Sequence, residues 1–185
     1  MLNEVWSALK GIFLSIANEP SILWYIAPIG VLWFILEIYF GIYEKEKLGW
    51  NTALANGITL MWICVEGLRY LFLHKPEPFF TRFFILCAIL GYAILIIFLS
   101  FSHKLSSKLT YLLASPTPIF YLCFITTLWS HGLVAINKWT VLAMALLFVF
   151  LILFSLLLKA ILPGRKGIAE LPEIGEEEFK PEKKL

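Results

Sequence analysis

The sequence predicts an all-α, polytopic membrane protein: about five transmembrane helices in one bundle, preceded by an amphipathic helix at the membrane interface. Three observations carry this. The 185 residues are 60% hydrophobic, against roughly 45–50% apolar residues in an ordinary soluble domain. The excess is gathered into runs of about twenty residues, the length a helix needs to cross a bilayer. Prolines, glycines and charges collect between the runs, as loops require.

The first seventeen residues behave differently. Val5, Trp6, Leu9, Ile12, Phe13 and Ile16 fall on one helical face, and Asn3, Glu4, Ser7, Lys10 and Ser15 lie largely on the other. The stretch is too short to span and too polar on one side to be buried, so residues 2–17 are expected to lie on the membrane. Asn18-Glu19-Pro20 ends it, because proline disfavours helix in the preceding residue.

The first span is expected from about Ser21 to Tyr43, with Ser21 as a plausible cap and Pro28 kinking the helix. Gly30, Trp33, Glu37, Gly41 and Glu44 share a face, and its two glycines favour close approach by another helix. The second span, about Thr52 to Leu73, is the most informative. Thr52, Asn56, Thr59, Glu66 and Tyr70 sit at i, i+4, i+7, i+14 and i+18, one continuous stripe interrupted only by Ile63. Lipid tails cannot solvate such a stripe, so it should face protein or water. Ala53 and Gly57 form a small-residue pair suited to helix contact.

His74 to Arg82 is short and carries Pro76 and Pro78, which makes spans two and three antiparallel neighbours. The third span, about Thr81 to Ser102, has no charge after Arg82, and Cys87 and Gly91 are expected to form its contact face. Residues 104–114 read as a short interfacial helix closed by Pro116 and Pro118. The fourth span, about Pro118 to Ile136, holds Thr126, Thr127, Ser130 and His131. The fifth, about Trp139 to Leu162, is almost wholly aliphatic and should face lipid most. Lys159 near its end is expected to snorkel to the headgroups. Trp33 and Trp62, both mid-span, are expected to pack between helices. The organisation is then 1–20 interfacial helix, 21–163 transmembrane domain and 164–185 a charged, disordered tail with eleven charges from Arg165 onward. No internal repeat is visible.

Lys45, Lys47, Lys104, Lys108, Lys159, Arg165 and Lys166, near the span ends, fall on one side, and Lys10, Lys75, Arg82 and Lys138 on the other. The positive-inside rule places the C-terminal tail in the cytoplasm. Net charge +2 gives no reason to expect a nucleic-acid partner. The expected partners are the lipid bilayer and either another membrane protein or a second copy of the chain. Every acidic residue is a glutamate, which removes aspartyl-phosphate and aspartic-protease chemistry. Cys64, Cys87 and Cys123 lie in apolar runs without a CxxC spacing, as small buried residues do. No HExxH, no GxSxG and no pair of deep histidines is present, so no metal, haem or cofactor is implied. The sequence leans away from an enzyme.

The candidate site is intramembrane and polar: Glu66, Arg69, His131, Glu37, Asn56 and Thr59. Spans two and four run in the same direction. Counting ~1.5 Å per residue puts Glu66 about 5 Å, Arg69 about 10 Å and His131 about 6 Å beyond their span midpoints. Those three can share one level. Glu37, on an antiparallel span, lies nearer Asn56 and Thr59 in depth. Glu66 and Arg69 have three readings: a self-neutralising i, i+3 ion pair, a packing network with His131, or a working proton or ion site. For Glu37 the plain reading is a protonated carboxyl bonded to a neighbour. The function expected first is a proton-, ion- or small-solute-conducting channel or transporter, or a subunit of one, with two polar levels forming a stepwise route. A scaffold or accessory subunit is the second, and a membrane enzyme using Glu66 and His131 as acid and base the third.

Overall fold

The computed structural model describes residues 2–42 and 49–162, all of whose regular structure is helical. Seven α-helices follow in order: α1 Leu2–Asn18, α2 Leu23–Ile42, α3 Trp50–His74, α4 Phe79–Ser102, α5 Ser107–Leu113, α6 Pro116–Ser130 and α7 Lys138–Ile161. A short 3-10 turn, Pro20–Ile22, joins α1 to α2. Four stretches are long and apolar enough to cross a membrane: Pro20–Ile42, Phe79–Ser102, Leu109–Ser130 and Lys138–Ile161. That composition fits an integral membrane protein. The 25 residues of α3 have the length, but its polar stripe lowers its hydropathy. The tail and the loop 43–48 lie outside the described residues.

α3 is the centre of the bundle. It packs most extensively on α4 and next on α6. Its buried face is Ala53, Asn56, Gly57, Leu60, Cys64 and Gly67, the small-residue side expected from Ala53 and Gly57. A Cβ at Gly57 would come within 2.9 Å of Ile96 Cγ2, and one at Gly67 within 3.1 Å of Ser130. Hydrogen in place of a side chain lets three helices meet there. The contact face of α4 is different from the expected one. Leu86, Ala93, Ile96 and Ser100 are buried, while Gly91 is exposed with nothing within 4 Å of its would-be Cβ. Apolar bulk filling the α3 surface outweighs small size here. In α2, likewise, Gly41 lies against Leu162 while Gly30 meets nothing.

The region expected as one interfacial helix is α5, and it is drawn into the bundle: Thr110 and Ala114 are buried. Pro118 lacks the N–H that would serve the Ala114 carbonyl four residues back. Asn56 Nδ2 donates to that carbonyl instead at 2.7 Å, and Tyr92 Oη donates to the Leu113 carbonyl at 2.5 Å. Side chains from α3 and α4 thus satisfy a helix break that lipid could not.

The fourth span is shorter than its apolar pattern implies. α6 stops at Ser130, and His131 is its cap rather than a residue within it. Gly132 takes φ +77°, Leu133 N–H donates to the Leu128 carbonyl at 3.0 Å, and Gly132 N–H donates to Trp129 at 3.1 Å. This is a Schellman ending, which glycine permits at low cost. Arg82, buried at the start of α4, donates to the Glu77 carbonyl and to the Trp129 carbonyl on α6. Its guanidinium satisfies the Trp129 carbonyl at the end of α6 and complements the helix dipole. Asn137 caps α7, its Oδ1 accepting from Trp139 and Thr140 N–H.

α1 packs against α7, burying Val5 and Ile12 with Ile22, Leu128, Val134 and Ala143. Trp6, Phe13 and Leu14 stay exposed on another side. Of the four span-length helices, α7 is the least buried by protein, as its aliphatic composition implies. Ser21 is no cap. Its hydroxyl donates to Glu19 Oε1 at 2.7 Å inside the turn.

Candidate functional site

The polar residues separate into two centres at opposite ends of the bundle. One is closed. Glu37, on α2, is 3% exposed. Its Oε1 accepts from Thr117 on α6 at 2.5 Å, and its Oε2 accepts from Ser155 on α7 at 2.5 Å. Lys159 Nζ lies 2.9 Å from Oε2. Trp33 Nε1 extends the network to Thr117 Oγ1 at 3.3 Å. The expectation that Lys159 snorkels outward is therefore corrected: its ammonium turns in to a buried carboxylate one helix away. A compensating charge outweighs headgroup solvation when the alternative is a lone carboxylate among apolar helices. Glu37 is accordingly an ion-paired carboxylate, held by three helices.

Asn56 and Thr59 do not join Glu37. Asn56 serves the Ala114 carbonyl, and Thr59 Oγ1 donates to Ala55 one turn back at 2.9 Å. Each is satisfied locally, so the second polar level foreseen from depth does not form one network.

The other centre is open. Arg69 Nε donates to Glu66 Oε2 at 2.8 Å, with the side chains 57% and 21% exposed. This is the i, i+3 pair that the spacing implies. Arg69 lies where two hollows meet. The first, of ≈ 570 Å³, runs between α2 and α3 from Ile58 to Arg69 on one wall and from Trp24 to Leu32 on the other. The second, of ≈ 620 Å³, is more polar and reaches Glu19, Tyr70, His74 and His131. Trp24, Tyr25 and Arg69 line both, so the two form one cleft.

His131 reaches this cleft from the end of α6. Its ring lies 4.0 Å from that of Tyr70 and 5.0 Å from that of Tyr25. Nδ1 stands 2.8 Å from the Thr127 carbonyl. A carbonyl only accepts, so Nδ1 carries the proton and Nε2 is an acceptor. Nε2 is buried and has no partner in the chain. His131 does not bond to Glu66. The Glu66–Arg69 pair and His131 share a cleft rather than a hydrogen-bond chain.

Trp62 also departs from expectation. It is 61% exposed, on the rim of the cleft rather than between helices. α2 and α3 diverge there, so the ring has no opposing helix. Residues that sequence reasoning passed over include Ser155 and Lys159, four apart on α7 and therefore on one face. That spacing was the available signal; the aliphatic bulk of the helix hid it. Tyr25 and Glu19 had no signal, since only the turn at Pro20 brings them to α3. Cys64 and Cys123 are buried free thiols.

No protein-family model, no curated protein and no solved structure matches this chain.

Proposed function

We propose that this is a five-span integral membrane protein, with α2, α3, α4, α5–α6 and α7 crossing the bilayer, that binds a small solute in the α2–α3 cleft and moves it across the membrane. One observation carries the reading. An ion pair and a histidine line two adjoining hollows of the bundle that meet at Arg69, with the guanidinium left open. The Glu37 carboxylate, by contrast, is enclosed by Thr117, Ser155 and Lys159. In this reading α3 is tolerated in the bilayer because its polar edge faces the cleft and its small face packs on protein. α1 lies along the membrane surface with Trp6 and Phe13 toward lipid, and the tail is cytoplasmic.

The test is flux through proteoliposomes under pH, potential and solute gradients, comparing wild type with Glu66→Gln, His131→Ala and Glu37→Gln. Loss of flux in the first two with an intact fold supports the reading. Absence of flux in wild type across the panel, or equal flux in all variants, ends it. Reporter fusions after Lys47, Pro76, Lys108, Lys138 and Lys184 check the spans: two adjacent loops reporting one side would refute five crossings.

A scaffolding role is the second reading, favoured by Trp24 at 85% exposure beside Trp62 on the cleft rim. Two large rings free of the chain suit a partner helix. A protein that purifies with wild type and is lost on Trp62→Ala would move the assignment there.

A further inference from the structure

The cleft differs along its length, and the difference specifies a ligand class. Between Ile58 and Trp62 on α3, and Pro28 and Leu32 on α2, its walls are apolar, with Thr59 turned back on its own helix. That stretch opens sideways between two helices. The apolar part, Ile58 to Ile63, extends about 7–8 Å at ~1.5 Å per residue, a length that takes the headgroup-proximal part of an acyl chain. Beyond Arg69 the lining becomes polar and carries both signs of charge: Arg69 beside Glu66, with Glu19 across the hollow. Arg69 gives Nε–H to Glu66 and bonds Tyr25 across the cleft, and its remaining guanidinium donors form a fork that matches a phosphate. Glu19, whose Oε1 already accepts from Ser21, keeps Oε2 as an acceptor on the wall of this hollow.

An anionic headgroup alone would satisfy Arg69 and face Glu19 with like charge. A headgroup with a phosphate and an N–H-bearing cation satisfies both ends. Resting on the proposed cleft site, the geometry points to a zwitterionic phospholipid bearing a primary ammonium as its ligand: phosphate at Arg69, ammonium toward Glu19, one acyl chain between α2 and α3. The ligand enters from the bilayer through the gap between the two helices, so no aqueous path is needed for the apolar part.

Native mass spectrometry of the full chain tests this, with phosphatidylethanolamine, phosphatidylcholine and phosphatidylglycerol of matched chains supplied in turn. The expected result is retention of phosphatidylethanolamine about tenfold above the other two. Arg69→Gln and Ile58→Trp, the second filling the exposed groove, should each lower that retention about tenfold with helicity unchanged. Equal retention of all three lipids, preference for phosphatidylglycerol, or indifference to both variants would overturn the assignment. A protein partner displaced from the cleft by Ile58→Trp would overturn it too. The outcomes separate from those of the transport reading. Solute flux that persists without lipid preference removes only the lipid. Lipid preference without any flux removes only transport.

Discussion

Two carboxylate–cation pairs sit at opposite ends of this bundle, and they are built in opposite ways. Glu37 and Lys159 come from different helices, and the carboxylate is 3% exposed with two hydroxyl donors in addition to the ammonium. Glu66 and Arg69 come from one helix turn, and the guanidinium is 57% exposed. The first pair joins α2, α6 and α7, with its carboxylate enclosed and its ammonium 39% exposed. The second reaches α2 only through Tyr25, and the guanidinium borders a cleft. A buried charge is therefore a poor guide to a site unless its partners are known: the pair whose partners lie on other helices is fixed in place, and the pair that is satisfied within one turn is free to serve something else.

The largest expected effect separates the two pairs by stability. Glu37→Ala leaves the Thr117 and Ser155 hydroxyls without their acceptor and Lys159, 39% exposed, without its counter-ion, for an expected loss of ~2–4 kcal/mol, most of it from the two buried hydroxyls. Glu37→Gln with Lys159→Met removes both charges and should recover most of it. Denaturation in mixed micelles measures both. If the single and double variants are equally destabilised, the pair is not what holds α7 to α2.

Next comes the break between α5 and α6 in the same closed half. Asn56→Leu keeps the volume and leaves the Ala114 carbonyl unpaired, for an expected loss of ~1–3 kcal/mol. The same measurement applies, and an unchanged midpoint would show that water or a shifted side chain takes over the carbonyl.

The open half is probed by Gly132→Ala. At φ +77° a Cβ is strained, and it would lie 3.2 Å from Pro76 Cβ. The expected cost is ~1 kcal/mol. Because Gly132 follows His131, the ring packing against Tyr70 should loosen as well, visible as a shifted imidazole resonance. A rigid ring with normal stability would mean that the Schellman ending does not position His131.

Glu66→Gln is expected to change stability least of all, since the pair is exposed and local. A large loss on this substitution would place Glu66–Arg69 in the same class as Glu37–Lys159 and remove the contrast between them.

The sequence by itself determined the helices and the two faces of α3. Apolar runs of about twenty residues satisfy their backbone groups best as helices, so the long apolar helices were legible from Ser21 onward. The small residues at Ala53 and Gly57 announced a packed face, and the i, i+3 spacing announced the Glu66–Arg69 pair, because both depend on one helix alone. Where a second helix was needed, legibility ended. Nothing local to Glu37 names Lys159, 122 positions away along the chain, and nothing local to Lys159 distinguishes a headgroup from a buried carboxylate. Asn56 read as part of a conducting stripe until the break at Ala114 supplied its partner. The apolar pattern carried span four past His131, although Gly132 was there to end the helix. Only the tertiary structure decided which polar groups were already satisfied and which remained open, because that depends on the donors and acceptors that neighbouring helices bring within ~3 Å.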